Sequence, residues 1–163
     1  MKRALGALLM LGAALLQVTW APRLEIMGAF PNLVLLAVVS LTWTQGVRAG
    51  LVWACIGGAL LDLTAAGPIG PHALGLLTGA YLTGFWTRNL ERRNALHVAL
   101  AAAAGTAAYS LVLVLSDDML GLPVPPFTVA LELTLAACAY NAILMPAALA
   151  LVQRAPLAAA EAV

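Results

Sequence analysis

Six apolar stretches, separated by short polar gaps, fill almost all of this 163-residue chain. They run at about 5–20, 26–43, 49–64, 73–86, 95–116 and 127–151. A helix needs about 20 apolar residues to cross a bilayer, and somewhat fewer where the bilayer is thin. Each stretch is at or near that length. Hydrophobic residues make up 63% of the chain and charged residues 9%, which leaves too little polar surface for a fold bathed in water. Tracts of Leu, Ala and Val without strict alternation favour helices over a barrel. The expected architecture is an all-α membrane protein, a bundle of six transmembrane helices forming one domain over 1–163.

The charges set the expected orientation. Lys2 and Arg3 precede the first stretch, Arg48 follows the second, Arg88, Arg92 and Arg93 follow the fourth, and Arg154 follows the sixth. If six helices cross, all seven lie on one side, and Arg23 alone among basic residues lies on the other, with Glu25, Asp117 and Asp118. The positive-inside rule then puts both termini in the cytoplasm. Trp20, Trp43 and Trp86 sit at span ends, as interfacial anchors do, and Trp53 lies a few residues inside its helix. Met1-Lys2-Arg3 and the run behind it mimic a signal peptide. However, Thr19-Trp20-Ala21-Pro22 offers no small-x-small site and places a proline after Ala21, so the segment reads as a retained first helix.

Several function classes find no support. A net charge of +1 with no dense basic run gives no reason to expect nucleic acid. Cys55 and Cys138 fall inside spans and read as small core residues, with no second ligand at metal spacing. No Ser-His-Asp or Cys-His arrangement, HExxH helix or glycine-rich phosphate loop is readable. Neither enzyme chemistry nor a cofactor is expected.

What remains is packing and a few polar groups inside apolar runs. Gly75 and Gly79 are spaced to let helices approach closely. With Pro68, Gly70 and Pro71 ahead of them, they suggest a short, central fourth helix. Pro146 should kink the last helix. Asp62 and Glu132 each interrupt an apolar run, at a cost of roughly 2.5–3.5 kcal/mol on insertion scales if unpaired. Asp62 comes late in an outward-running helix and Glu132 early in an inward-running one, so both fall in the outer part of the membrane. Arg23 and His72 sit near span ends on that side. These four are candidates for one outward-facing polar cluster, either a pocket or a docking site. Alternatively, the carboxylates snorkel to the interface or cap neighbouring backbone. Asn32, Asn141, Tyr81 and Tyr109 are candidates for hydrogen bonds between helices, and Asn32 and Tyr81 join the pocket or partner-binding set. Arg88, Arg92 and Arg93 form a cytoplasmic basic patch, suited to positive-inside anchoring or anionic lipid.

Several short motifs occur in a telling order: Pro31-Asn32-Leu33-Val34-Leu35-Leu36, Gly57-Gly58-Ala59-Leu60-Leu61-Asp62-Leu63, Gly67-Pro68-Ile69-Gly70-Pro71-His72-Ala73-Leu74 and Gly79-Ala80-Tyr81-Leu82. In order and spacing they resemble the rod shape-determining protein MreD family, which has a Pro-Asp-Leu start, a Gly-Leu-x-x-Asp helix end, a Gly-x-His-Ala-Leu start and a Gly-Tyr pair. Asn32 stands where that family usually has Asp, and Ala80 separates Gly79 from Tyr81. The resemblance implies a non-enzymatic scaffold of the cell-elongation machinery in the bacterial inner membrane. Such scaffolds associate with MreC, and through it with the actin-like MreB and the peptidoglycan polymerase and transpeptidase. That family is also similar in fold to the substrate-binding subunits of energy-coupling-factor vitamin transporters, so a solute-binding subunit is the alternative expectation. The outer loops offer few aromatics for a vitamin, Phe30 and Phe127 being the nearest.

Overall fold

The computed structural model describes residues 2–25, 28–65, 67–89 and 94–154. Arg92 and Arg93 of the basic patch lie outside these residues, as do positions 26 and 27, the expected start of the second helix. The regular structure is helical throughout: α1 (Lys2–Thr19), a 3-10 turn (Ala21–Leu24), α2 (Leu33–Gln45), α3 (Val47–Thr64), α4 (Pro71–Asn89), α5 (Ala95–Met119) and α6 (Phe127–Arg154). Among the described residues, three helices, α3, α5 and α6, are long and apolar enough to cross a membrane; the apolar parts of α1 and α2 are shorter.

The second helix is the axis of the bundle. It packs against each of the other five helices, and residues 34–43 are buried without a break. A helix apolar all round belongs inside a bundle rather than at its surface. Its two central hydroxyls are compatible with that position, because Ser40 donates to the Leu36 carbonyl at 2.8 Å and Thr42 to that of Val38 at 2.7 Å. The expected start at 26 is therefore corrected to Leu33. Proline disfavours helical backbone in the residue before it, and Asn32 takes the N-cap, its side chain accepting from the Leu35 amide at 2.9 Å. At 13 residues, α2 is only about 20 Å long, and its neighbours shield it from lipid.

The fourth helix also differs from the expectation of a short one. It has 19 residues, because Pro71 opens it, and the first turn is the place where a missing N–H costs nothing. It packs between α3 and α5 and against α2, while Leu74, Tyr81 and Phe85 point outward. Glycines set its closest approaches. A Cβ on Gly58 of α3 would collide with the backbone of Ala73, one on Gly75 would lie 2.6 Å from the Tyr109 ring, and Gly79 faces Gly105 of α5. Gly46 alone links α2 to α3 with φ +91, a conformation side chains disfavour. The sixth helix runs continuously through Pro146.

Two side chains, Trp43 and Cys55, stand elsewhere than expected, and Trp53 keeps its place inside a helix. Trp43 is 2% exposed and belongs to the core rather than to an interface, because α2 is enclosed. Trp53 is buried against Gly6 of α1. Cys55 is exposed rather than packed in the core, since α3 turns that face away from its neighbours.

Candidate functional site

Both α2 and α4 begin inside the bundle, and each start leaves backbone amides with no partner in the helix. Away from water such amides cost several kcal/mol unless satisfied. At α4 the solution is Asp62, 3% exposed near the end of α3. One carboxylate oxygen accepts from the His72 amide at 3.0 Å and the other from the Ala73 amide at 3.3 Å. An anion at a helix start is also favoured by the helix dipole. Of the readings open for Asp62, capping of neighbouring backbone is the one the geometry displays.

At α2 three side chains share the task. Gln17 of α1 accepts from the Leu33 amide at 2.6 Å, Asn141 of α6 from the Asn32 amide at 3.0 Å, and Asn32 from Leu35. The Asn141 amide group then donates to the Thr106 hydroxyl at 2.9 Å, which donates to the Ala102 carbonyl at 2.7 Å. Asn141 thus joins α2, α5 and α6 through one fully buried side chain.

These two capped starts border a cavity of about 460 Å³. Phe30, Leu61, Leu113, Val114, Leu133 and Ala137 give it apolar walls, and Asn32, His72, Thr106, Tyr109 and Asn141 give it a polar side. Thr106 and Asn141 lie near the middles of their helices, so the cavity reaches deep into the bundle. Its lining includes no Asp, Glu, Lys or Arg among the described residues. The His72 and Tyr109 rings lie 6.0 Å apart, tilted by 35°. At the opposite ends of α2, α3 and α4, a second cavity of about 300 Å³ is bordered by Arg48 and Arg88.

The expected four-residue cluster is only partly assembled. Asp62 meets the backbone of His72, and His72 and Asn32 line the cavity, which Asp62 does not. Glu132 is exposed on the surface of α6 and does not line the cavity. Arg23 is exposed beside Trp20, its guanidinium 5.5 Å from the ring centre. Tyr81 is 63% exposed on α4. Glu132, Arg23 and Tyr81, candidates for a pocket or for partner docking, thus stand on the surface and do not line the cavity. The physical reason is helix phase, since depth along a helix does not say which way a side chain points. Gln17, Thr106 and Tyr140, whose hydroxyl donates to the Leu24 carbonyl at 3.0 Å, were not visible as site residues. Each bonds a partner far away in sequence or on another helix.

Apolar helices of spanning length packed around a buried axis, with polar contacts gathered toward one end, define an all-helical membrane protein. Within that class, the family model of the rod shape-determining protein MreD matches residues 2–153. The chain belongs to the MreD family, whose role is in rod-shape determination. No curated protein and no solved structure matches it.

Proposed function

We propose that the chain is a non-enzymatic scaffold of the bacterial cell-elongation machinery, a single domain crossing the inner membrane six times with both termini in the cytoplasm. The cavity end then faces outward, and the end carrying Arg48, Arg88 and Arg154 faces the cytoplasm. The observation that carries this reading is the family match over nearly the whole chain. The scaffold binds MreC through its membrane helix and juxtamembrane segment. Through MreC it supports rod shape and peptidoglycan synthesis together with MreB, the polymerase and the transpeptidase. Arg23 and Glu132, exposed toward the cavity end, are the residues placed to meet the juxtamembrane segment, with Tyr81 on the flank of α4. Asp62, Asn32 and His72 support the site from inside. Arg88, with Arg92 and Arg93, meets cytoplasmic partners or anionic lipid.

The test is recovery of MreC with the tagged chain from native membranes, together with reporter fusions at Arg93 and Asp118. MreC should be retained, with Arg93 cytoplasmic and Asp118 exterior. Absence of MreC would end the scaffold reading, and reversed reporters would end the orientation.

The cavity itself favours a second reading, a solute-binding subunit of a vitamin transporter. Its volume falls in the range of small-molecule sites, roughly 300–1,000 Å³. Saturable thermal stabilisation of the purified chain by a vitamin would support that reading, and a flat response across vitamins would leave the scaffold.

A further inference from the structure

The basic end of the bundle holds a cavity of its own, about 300 Å³, where α3 begins and α4 ends. Arg48 of α3 and Arg88 of α4 both border it, together with Gly46, Val47, Gly84 and Thr87. Both arginines are exposed. Among the described residues no acid lines this cavity, and Glu25, Asp62, Asp117, Asp118 and Glu132 all stand toward the other end of the bundle. Two like charges at one cavity repel each other unless an anion lies between them. The start of α3, with Gly46 as its N-cap, adds a helix dipole that also favours negative charge. A guanidinium's planar fork matches the oxygens of a phosphate.

The surface next to the cavity says what the phosphate belongs to. The helices α3 and α4 run antiparallel, with Val47 against Gly84 and Gly58 against Ala73. Counted from those contacts at about 100° per residue, Arg48 and Val52 on α3 and Phe85 and Arg88 on α4 turn to the same side of the pair. Val52 and Ile56, one and two turns beyond Arg48, are exposed, as is Phe85, one turn before Arg88. An apolar exposed strip thus runs from the two arginines toward the middle of α3, a helix long and apolar enough to cross a membrane. A soluble anion would use the cavity alone. A phospholipid would use both parts, its phosphate between the arginines and its acyl chain along the strip.

We propose that Arg48 and Arg88 hold the phosphate of an anionic phospholipid in the cavity between α3 and α4, with an acyl chain lying along Val52, Ile56 and Phe85. This rests on the reading that the chain crosses the inner membrane, and it gives the basic end a specific ligand class. The site is formed within the chain and needs no partner protein.

The experiment uses the full chain, purified without partners and placed in nanodiscs of phosphatidylcholine. The probes are phosphatidylglycerol and phosphatidylcholine carrying the same diazirine-bearing acyl chain, each at trace level. Cross-links are mapped by mass spectrometry. Phosphatidylglycerol should label Val52, Ile56 and Phe85 roughly tenfold more than phosphatidylcholine, since each arginine near an anionic lipid contributes severalfold. Combining Arg48→Gln with Arg88→Gln should bring the two probes level at those residues. If that double variant fails to fold, the single variants carry the test, each lowering the preference severalfold. Arg154→Gln, which removes a charge at the same end but outside the cavity, should leave the preference intact. Unlabelled phosphatidylglycerol should displace the probe, and inorganic phosphate should not. Equal labelling by the two lipids, a preference that survives the loss of both cavity arginines, or an equal loss with Arg154→Gln would overturn the proposal. Displacement by inorganic phosphate alone would also overturn it, by showing a site for the free anion. Because MreC is absent throughout, failure here leaves MreC recovery untouched, and failure to recover MreC leaves the lipid site standing.

Discussion

The α3–α4 corner and the outer face of α6 each carry one carboxylate in an apolar run, and the two have opposite fates. Asp62 is almost fully enclosed and both its oxygens accept from the first amides of α4. Glu132 stands exposed on α6. In sequence the two are alike: each is a single acid set in an apolar run toward one end of its helix. The difference lies in what the fold brings opposite them. A helix that starts inside a bundle needs an acceptor for its first amides, and Gly58, one turn before Asp62, lets α4 come close enough to use this one. Among the described residues, no backbone amide bonds to Glu132. An acid inside an apolar run is thus structural or available for a partner according to which backbone lies across from it.

The largest effect expected to probe this contrast is that of Asp62→Ala. It leaves two buried amides unsatisfied and should cost on the order of 2–4 kcal/mol, read as lower folded yield and a lower melting temperature in detergent. A melting temperature equal to wild type would remove Asp62 from the structural side of the comparison. Next comes Gly58→Ala. The added methyl meets the Ala73 backbone and should cost about 1–3 kcal/mol by forcing α3 and α4 apart. If the corner tolerates it, close approach is not what lets Asp62 reach α4. Asn141→Leu removes the buried link among α2, α5 and α6 and should cost roughly 1–2 kcal/mol, checked by the same melting assay. The smallest effect belongs to Glu132→Ala, within about 0.5 kcal/mol of wild type. A drop as large as that of Asp62→Ala would show that Glu132 has a hidden structural partner and would erase the contrast.

The parts of the fold that depend on local pattern were readable from the chain. The starts of α5 at Ala95 and α6 at Phe127 and the end of α3 at Thr64 fall where the apolar runs change, because polar and proline residues mark those edges directly. The start of α2 was misplaced by a run that stays apolar ahead of Pro31. There the boundary is set by Asn32 as a cap and by side chains from α1 and α6, which periodicity cannot register. Trp43 looked like an anchor because it ends an apolar run, but α2 is surrounded, a fact about neighbours rather than about α2. The cavity was the least legible feature. Its lining comes from five helices, α1 and α3 to α6, and from the segment between α1 and α2 that ends in the cap Asn32, so only the polar residues pointed to it, and they did not say which way each side chain turns. His72 and Asn32 line the cavity, whereas Arg23, Glu132 and Tyr81, grouped with them as pocket or partner candidates, stand on the surface.

In the proposed scaffold, buried polar groups at the cavity end hold the bundle together while exposed ones meet MreC. The decisive measurement is MreC recovery per folded molecule for Asp62→Asn and for the Arg23→Ala, Glu132→Ala double variant. Asp62→Asn should show wild-type recovery per folded molecule. The double variant should show a severalfold loss with an unchanged melting temperature. Full recovery by the double variant, with loss confined to Asp62→Asn, would contradict that division of roles.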